Sequence, residues 1–323
     1  MNLYEFIQYK KLGHTERKSF TIDSRKISLM ERVLIEEESF ENFKINLKNF
    51  SFIVKGNDEE TIDYLNKSTK TTIKKMLDYK KGFPFNYQFS SVLGVLFPYY
   101  GSKKNRRNEG NETIEYMLKN GNKINKVCDL FAGAGNLTFD NLYVFDKYNP
   151  NMKVIMNDLN VFISSTYYNI QNYKEEVFEE YSKIIFWIKN KFKSISLKNE
   201  EEFKILQKYL VEKINIQCYN KIYNSETTAL FLFLQHISRS GAIDYDVETK
   251  KLTYESFRSS KEPYQLISFA NIINKIFFYS EALNIMNIEI TNEDYNNIIK
   301  NYKEDSLLLI DSPYTNFYKE NLE

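Results

Sequence analysis

Two stretches of the sequence, far apart along the chain, carry residue types that could bind and transform a small molecule. In the first, an apolar run at 127–131 leads into a glycine-rich turn that contains Gly133 and Gly135. In the second, the apolar run 306–310 leads into Asp311, which begins the four residues Asp-Ser-Pro-Tyr. Each apolar run is typical of a buried β-strand. Ligands of open α/β sheets bind at the carboxyl ends of the strands, so both stretches are predicted to lie where a ligand binds.

The glycine-rich turn has the features of a nucleotide-binding turn. Gly133 and Gly135 lack a Cβ atom, which lets the backbone approach a ligand closely. Asp158 ends the next predicted strand, 154–158, about 20 residues further on, where the ribose-binding carboxylate of nucleotide folds is found. Alone, these features predict only a nucleotide-like cofactor.

Five short motifs follow one another along residues 89–323. They are PYYGSK at 98–103, FAGAG at 131–135, NDLN at 157–160, ITNEDY at 290–295 and DSPY at 311–314. In composition and order, with a long insert before the last two, they resemble the Dam-like (group alpha) adenine-N6-specific DNA methyltransferase family. The resemblance implies a Rossmann-like α/β core. It also implies methyl transfer from S-adenosyl-L-methionine to an adenine amino group in double-stranded DNA.

On the cofactor side, the resemblance gives a role to residues in each of these motifs. Asp158 would accept hydrogen bonds from the ribose hydroxyls, and Lys103 would meet the methionine carboxylate. Tyr99 would pack on the cofactor. The alternative for Lys103 is a solvated loop lysine, and the alternative for Tyr99 is a core aromatic residue. Asp294 and Tyr295 would lie near the adenine. The complete predicted cofactor set is Tyr99, Gly101, Lys103, Phe131, Gly133, Gly135, Asp158, Asn160, Asp294, Tyr295 and Asp311.

The last motif supplies the predicted catalytic residues, Asp311, Ser312, Pro313 and Tyr314. Methyl transfer to an amine is an in-line displacement that depends on holding the two reactants together. Adenine N6 is a poor nucleophile because its lone pair is delocalised into the ring. The Asp311 carboxylate and the Pro313 carbonyl would accept its hydrogens and stabilise the developing positive charge. Tyr314 would stack on a base flipped out of the duplex, and Ser312 stands where the family has proline.

The composition disfavours several classes of protein. With 44 basic against 43 acidic residues, DNA binding has to come from local patches, and 103–107 and 189–198 are the candidates. A solvated loop or helix face is the alternative for each patch. Cys128 and Cys218 lack paired spacing and only two histidines occur, so no metal site is predicted and a reducing cytoplasm is the expected location. No leader or membrane-spanning run is recognised, so no membrane association is predicted.

The hydropathy pattern predicts four parts along the chain. Residues 1–88 form a small α+β extension of unknown role, with a strand at 50–54. Residues 89–168 alternate strands and helices as the cofactor-binding part of the core, and residues 271–323 return to that core with the catalytic motif. Between them, residues 169–270 show mostly helical spacing of apolar residues. The resemblance implies that this insert is the target-recognition domain that reads DNA bases.

The end of the chain is expected to leave the sheet short of strands. Only nine residues follow Tyr314, whereas members of the resembled family continue for several more strands and helices. The core would be incomplete after its fourth strand, whose apolar residues 307–310 would lie at an exposed edge that invites pairing. We therefore expect a missing C-terminal segment or a second chain to complete the sheet, and self-association of the chain when neither is present.

The favoured function is a site-specific DNA adenine-N6 methyltransferase from a restriction-modification or phage-related system. One rival is a catalytically incomplete, methyltransferase-like DNA-binding or partner subunit. A second rival is an RNA or protein-amide methyltransferase, because similar Pro-Tyr motifs serve those substrates. The cofactor motif upstream of the glycine turn and the long helical insert favour DNA over these last two substrates.

Overall fold

The computed structural model describes residues 24–54, 95–98, 107–121, 124–195, 197, 200–221, 223–238, 244–246, 248–249, 251–253, 266–301 and 305–311. The predicted site residues that lie outside the described residues are Tyr99, Gly101, Lys103, Ser312, Pro313 and Tyr314. The described helices are α1 (Ser24–Glu36), α2 (Phe40–Val54), α3 (Arg107–Asn120), α4 (Asn136–Tyr148), α5 (Val161–Asn172), α6 (Lys174–Phe192), α7 (Glu200–Tyr219), α8 (Ser225–Ile237), α9 (Leu266–Ile285) and α10 (Tyr295–Lys300). The described strands are β1 (Lys126–Asp129), β2 (Lys153–Asn157), β3 (Asp244–Asp246), β4 (Lys251–Thr253), β5 (Glu289–Thr291) and β6 (Ser306–Leu309).

The centre of the described fold is a parallel sheet of four strands in the order β5-β2-β1-β6. Lys126 of β1 lies opposite Lys153 of β2 on one side and opposite Ser306 of β6 on the other. The chain thus runs from β1 outward to β2 and β5, and then returns to the other side of β1. This arrangement confirms the predicted α/β class. Strand order reverses between β1 and β6, and open α/β sheets bind their ligands at such a switch point.

Both faces of the sheet are covered by apolar side chains, as is usual for parallel strands. On one face, Val127, Leu307 and Leu309 belong to the main hydrophobic core, which continues through the helices. On the other face, Cys128 and Ile155 belong to a smaller buried cluster. β6 lies at the edge of the described sheet, yet most of its side chains are covered by the protein itself.

The helices predicted within the insert are present as α6, α7 and α8. Residues 227–237 of α8 are buried at every position, because this helix is apolar nearly all round and lies inside the core. A short antiparallel hairpin of β3 and β4 also lies in this part of the chain and was not predicted. Its strands of three residues are too short to show the alternation of apolar and polar residues that predicts a strand.

The predicted strand at 50–54 is wrong, because these residues form the end of helix α2. Phe43 and Leu47, one helical turn apart, are fully buried, and this helical spacing outweighs the strand preference of the aromatic and branched residues that follow. The helix packs against α9, where the Asn274 side chain donates a hydrogen bond to the Ser51 carbonyl at 2.6 Å. Helix α2 is therefore part of the main core.

Candidate active site

The described site residues lie together at the carboxyl ends of the four parallel strands. β1 leads into the turn that contains Gly133 and Gly135, and β2 leads into Asp158. β5 is followed by Asp294 at the start of α10, and Asp311 lies two residues beyond the end of β6. The glycine turn and Asp311 therefore flank the switch point between β1 and β6.

The glycine turn has a backbone conformation that other residues rarely adopt. Gly133 and Gly135 have φ angles of 49° and 73°, in the left-handed region that favours glycine. The Gly135 N–H donates a hydrogen bond to the Ala132 carbonyl at 2.6 Å, and α4 begins directly after it. A Cβ atom on Gly135 would lie 2.5 Å from the ring of Phe139. Glycine is thus required by the turn itself, which leaves bare backbone beside the switch point.

Asp158 is a half-buried carboxylate, and both of its oxygens accept hydrogen bonds from backbone N–H groups. Oδ2 accepts from Gly133 at 2.8 Å, and Oδ1 accepts from Asn160 at 2.9 Å. Burial raises the pKa of Asp158 to about 6, although both hydrogen bonds oppose that rise. An ionised carboxylate has about four acceptor positions. The two backbone bonds therefore leave acceptor capacity for the hydroxyl groups of a ligand.

Phe131 and Tyr295, two predicted cofactor residues from distant parts of the chain, are in contact. Their ring centroids lie 5.4 Å apart with an angle of 44° between the planes, and Tyr295 is 40% exposed. Phe131 follows β1 and Tyr295 begins α10 after β5, so the contact bridges the carboxyl end of the sheet. The pair offers aromatic surface on which a flat ring could pack.

Asn160 and Asp294 have structural roles in the described site. The Asn160 side chain accepts a hydrogen bond from the Phe162 N–H at 3.0 Å and caps α5. The Asp294 side chain accepts from the Asn296 N–H at 2.8 Å and caps α10. Each cap starts a helix shortly after a strand of the sheet ends. Contacts of these two side chains with a cofactor stay predictions.

Asn157 connects three strand ends, a role that the sequence did not reveal. Its Nδ2 donates hydrogen bonds to the carbonyls of Leu130 at 3.1 Å and Glu293 at 3.0 Å. Its Oδ1 accepts from the Glu293 N–H and from the Thr291 hydroxyl, both at 2.9 Å. These bonds set the spacing between the residues that follow β1, β2 and β5. The only signal in the sequence was the position of Asn157 at the start of the NDLN motif.

Asp129, the last residue of β1, is a buried acid to which sequence analysis gave no role. Its Oδ2 accepts a hydrogen bond from the Thr138 hydroxyl at 2.7 Å, and its Oδ1 accepts none of ordinary geometry from the described residues. Burial raises the pKa of Asp129 to about 7, against the hydrogen bonds from Thr138 and the Phe131 N–H. The negative charges of Asp158 and Asp311 add to that rise. Three carboxyl groups therefore converge at this end of the strands, and the two that are partly exposed, Asp158 and Asp311, favour a cationic ligand group there.

The buried carboxyl of Asp129 is expected to make stability depend on pH. Its pKa is near 3.8 in the unfolded chain and about 7 in the folded one, so the unfolded chain loses the proton first as the pH rises. Stability should fall between about pH 4 and pH 7, by about 4 kcal/mol from this group. Asp129→Asn keeps a neutral side chain at every pH, and its fall in stability should be smaller by that amount. Urea unfolding at several pH values measures both curves, and equal slopes would contradict the prediction.

Asp311 is half-buried and is held near the glycine turn by the pairing of β6 with β1. The Leu130 N–H donates a hydrogen bond to the Leu309 carbonyl at 3.0 Å, so this pairing continues to the last residue of β6. Asp311 follows after one exposed residue, Ile310. The remainder of the predicted catalytic motif, 312–314, lies outside the described residues, as does the predicted cofactor stretch 99–103.

The structure removes one lysine from a predicted basic patch. Within 189–198, Lys189 is only 6% exposed, and its ammonium group donates a hydrogen bond to the Glu37 carbonyl. This lysine therefore holds α6 to the residue that follows α1 and does not face a solvated DNA-binding surface. Residues 103–106 of the other patch lie outside the described residues.

The described residues show no metal site and no membrane span. They contain no group of three or more histidine, cysteine, aspartate or glutamate residues placed to hold a metal ion. None of the described helices combines the length and the apolarity that a membrane crossing requires. Cys128 and Cys218 are both buried, and neither forms a disulfide.

Comparison with known proteins gives a family assignment. The family described as D12 class N6 adenine-specific DNA methyltransferase matches residues 99–322, more than half of the 323-residue chain. A search among curated proteins found no match. The matched range includes every predicted site residue, from Tyr99 to Tyr314. The chain belongs to the D12 class N6 adenine-specific DNA methyltransferase family.

Proposed function

We propose that the chain transfers a methyl group from S-adenosyl-L-methionine to N6 of an adenine in double-stranded DNA. The observation that carries this proposal is the position of the glycine turn and Asp311 on either side of the β1–β6 switch point. Such a point is where open α/β sheets bind nucleotide-like ligands. The family to which the chain belongs is described as acting on adenine N6 of DNA, which favours DNA over RNA and protein amides.

The described residues fit S-adenosyl-L-methionine in charge and in shape. Its sulfonium and ammonium groups are cationic, and the partly exposed carboxyl groups of Asp158 and Asp311 lie at the carboxyl ends of the strands. Gly133 and Gly135 present backbone without side chains, so an extended ligand can pass close to the turn. The Phe131–Tyr295 pair offers the aromatic surface that an adenine ring would use.

The proposed reaction is a single displacement. S-adenosyl-L-methionine supplies an electrophilic methyl group bound to a positively charged sulfur. The N6 lone pair forms the new carbon–nitrogen bond as the carbon–sulfur bond breaks, and the electron pair of that bond stays with sulfur. The nitrogen gains positive charge, which the Asp311 carboxylate stabilises before one N–H proton is lost to Asp311 or water. As the resemblance implies, the Pro313 carbonyl accepts a hydrogen bond from the second N–H of the amino group, and the Tyr314 ring stacks on the base.

Access to the adenine requires the base to leave the stack, because N6 is enclosed in a base pair of the duplex. We assign the reading of the DNA to the insert 169–270 and place the enzyme in a restriction-modification or phage-related system. Both assignments rest on the resemblance of the motifs to the Dam-like enzymes. In the described part of the insert, α6, α7 and α8 supply a packed scaffold for such a role.

Asp158→Ala is expected to weaken the binding of S-adenosyl-L-methionine by about tenfold or more. A hydrogen bond to a charged acceptor contributes roughly 1.5–3 kcal/mol, and the variant loses the acceptor proposed for the ribose. It also releases the Gly133 N–H. Isothermal titration calorimetry with the full chain measures the affinity. Binding at the wild-type affinity would remove Asp158 from the proposed cofactor site.

The proposed substrate can be tested by supplying S-adenosyl-L-methionine with a labelled methyl group to the full chain, together with duplex DNA, RNA or a glutamine-containing peptide. The proposal predicts label in DNA and little in the other two. Label chiefly in RNA or peptide would contradict the choice of substrate. Binding of DNA without any transfer would support the alternative of a catalytically incomplete DNA-binding subunit.

A further inference from the structure

The glycine turn is held by a tyrosine that belongs to none of the five motifs. Tyr167 lies in α5 and is 1% exposed, and its hydroxyl donates a hydrogen bond to the Gly133 carbonyl at 3.0 Å. The Gly133 N–H donates to the Asp158 carboxylate at 2.8 Å. Both polar backbone groups of Gly133 are therefore bound, one by Asp158 at the end of β2 and one by the helix that follows.

The Tyr167 ring also contacts the segment 95–98, which leads directly into the predicted cofactor motif at 98–103. The ring centroid of Phe97 lies 6.0 Å from that of Tyr167, and Phe139 of α4 lies 5.8 Å away. Phe97 is fully buried. The position of this segment thus depends on the ring that also carries the hydroxyl bound to the glycine turn.

Two further hydrogen bonds fix the same segment. Nε2 of His236, in α8, donates to the Leu96 carbonyl at 3.0 Å. The Lys275 ammonium, in α9, donates to the Val95 carbonyl at 2.6 Å. The segment is therefore held by the insert and by the core helix α9, and Tyr167 connects it to the glycine turn.

We infer that, with S-adenosyl-L-methionine bound as proposed above, Tyr167 is a positioning residue for this cofactor. Its hydroxyl fixes the peptide of Gly133, and its ring packs against Phe97, which precedes the first predicted cofactor motif. A shift of the glycine turn would misplace the backbone that the cofactor is proposed to approach, so contacts that hold the turn support binding. Tyr167 touches neither reacting atom, so its effect is on cofactor binding rather than on the methyl transfer itself.

The test compares Tyr167→Phe with Tyr181→Phe. The first variant removes only the hydroxyl and keeps the ring. The second removes a hydroxyl from an equally buried tyrosine in α6, whose ring packs against Phe233 in the insert and not against the turn. Three quantities are measured for the full chain: the affinity for S-adenosyl-L-methionine, the kcat and KM for transfer to DNA, and hydrogen exchange of the peptide that covers 130–136.

For Tyr167→Phe we expect the affinity for S-adenosyl-L-methionine to fall by about fivefold to tenfold, because the Gly133 carbonyl loses its hydrogen bond. The KM for the cofactor should rise with little change in kcat, and exchange at 130–136 should become faster. Tyr181→Phe should leave all three at wild-type values. Wild-type affinity and exchange in Tyr167→Phe, or equal losses in both variants, would overturn the role of Tyr167 and leave the proposed function intact. A wild-type chain that binds no S-adenosyl-L-methionine would overturn both.

Discussion

Asp311→Ala is expected to lower the rate constant of methyl transfer by about 10²–10³-fold or more, with the affinity for DNA largely unchanged. The interaction of this carboxylate with the amine strengthens as positive charge develops on N6. Removal of the carboxylate should therefore lower kcat and leave the ground-state binding of DNA nearly intact. Single-turnover transfer of labelled methyl groups to duplex DNA measures the rate constant, and a titration measures the affinity for DNA.

Asp305→Ala is the matched control for this variant. Asp305 precedes β6, at the opposite end of this strand from Asp311. Its Oδ2 accepts a hydrogen bond from the Asn125 side chain at 3.2 Å. The control should change stability only and keep the wild-type rate. Transfer by Asp311→Ala at a rate close to wild type would exclude this carboxylate from the reaction.

Gly135→Val is expected to abolish detectable binding of S-adenosyl-L-methionine and to destabilise the fold. Any Cβ at this position would lie 2.5 Å from the Phe139 ring and 2.9 Å from the Tyr167 hydroxyl, and the φ angle of 73° is strained for a branched residue. Relief of both clashes has to move the turn or the two aromatic residues that support it. Thermal unfolding and calorimetric titration of the same preparation measure the two effects.

Gly110→Ala provides the contrast, because the nearest atom to its added Cβ would be Leu137 Cδ2 at 3.9 Å, an ordinary contact. Gly110 lies within helix α3, where alanine is favoured over glycine by about 0.5–1 kcal/mol. This variant should be as stable as the wild type or slightly more stable, with unchanged cofactor binding. A Gly135→Val chain that binds the cofactor normally would show that the turn does not approach the ligand.

The four central strands and the glycine turn could be predicted because their signals are local. Apolar runs such as Val127–Phe131 and 306–310 are long enough to indicate buried strands, and Gly133 and Gly135 mark the turn directly. The same local signal misled at 50–54, where aromatic and branched residues suggested a strand. There the buried positions Phe43 and Leu47 extend a helical face, and packing against α9 decides the outcome.

The contacts that support the site could not be predicted, because they join residues that are distant in sequence. The Asn157 side chain donates a hydrogen bond to the Glu293 carbonyl, and the Tyr167 hydroxyl donates one to the Gly133 carbonyl. The partners in each bond are too far apart in sequence for a local pattern to predict the contact. The role of Asp129 depends on burial next to Thr138 and on two other acids, which is visible only in the fold. Asn160 and Asp294 show the converse case. They were predicted from motifs as cofactor residues; the structure shows that they cap helices, and their contacts with a cofactor stay predictions.

The central claim, that this chain methylates adenine N6 in DNA, is tested most directly by identifying the modified nucleoside. Unmethylated duplex DNA of mixed sequence is incubated with the full chain and S-adenosyl-L-methionine, digested to nucleosides and analysed by mass spectrometry. The proposed function predicts N6-methyldeoxyadenosine with the wild-type chain and a strong reduction with Asp311→Ala. Methylation of cytosine, or equal amounts of N6-methyldeoxyadenosine from the wild type and Asp311→Ala, would contradict it.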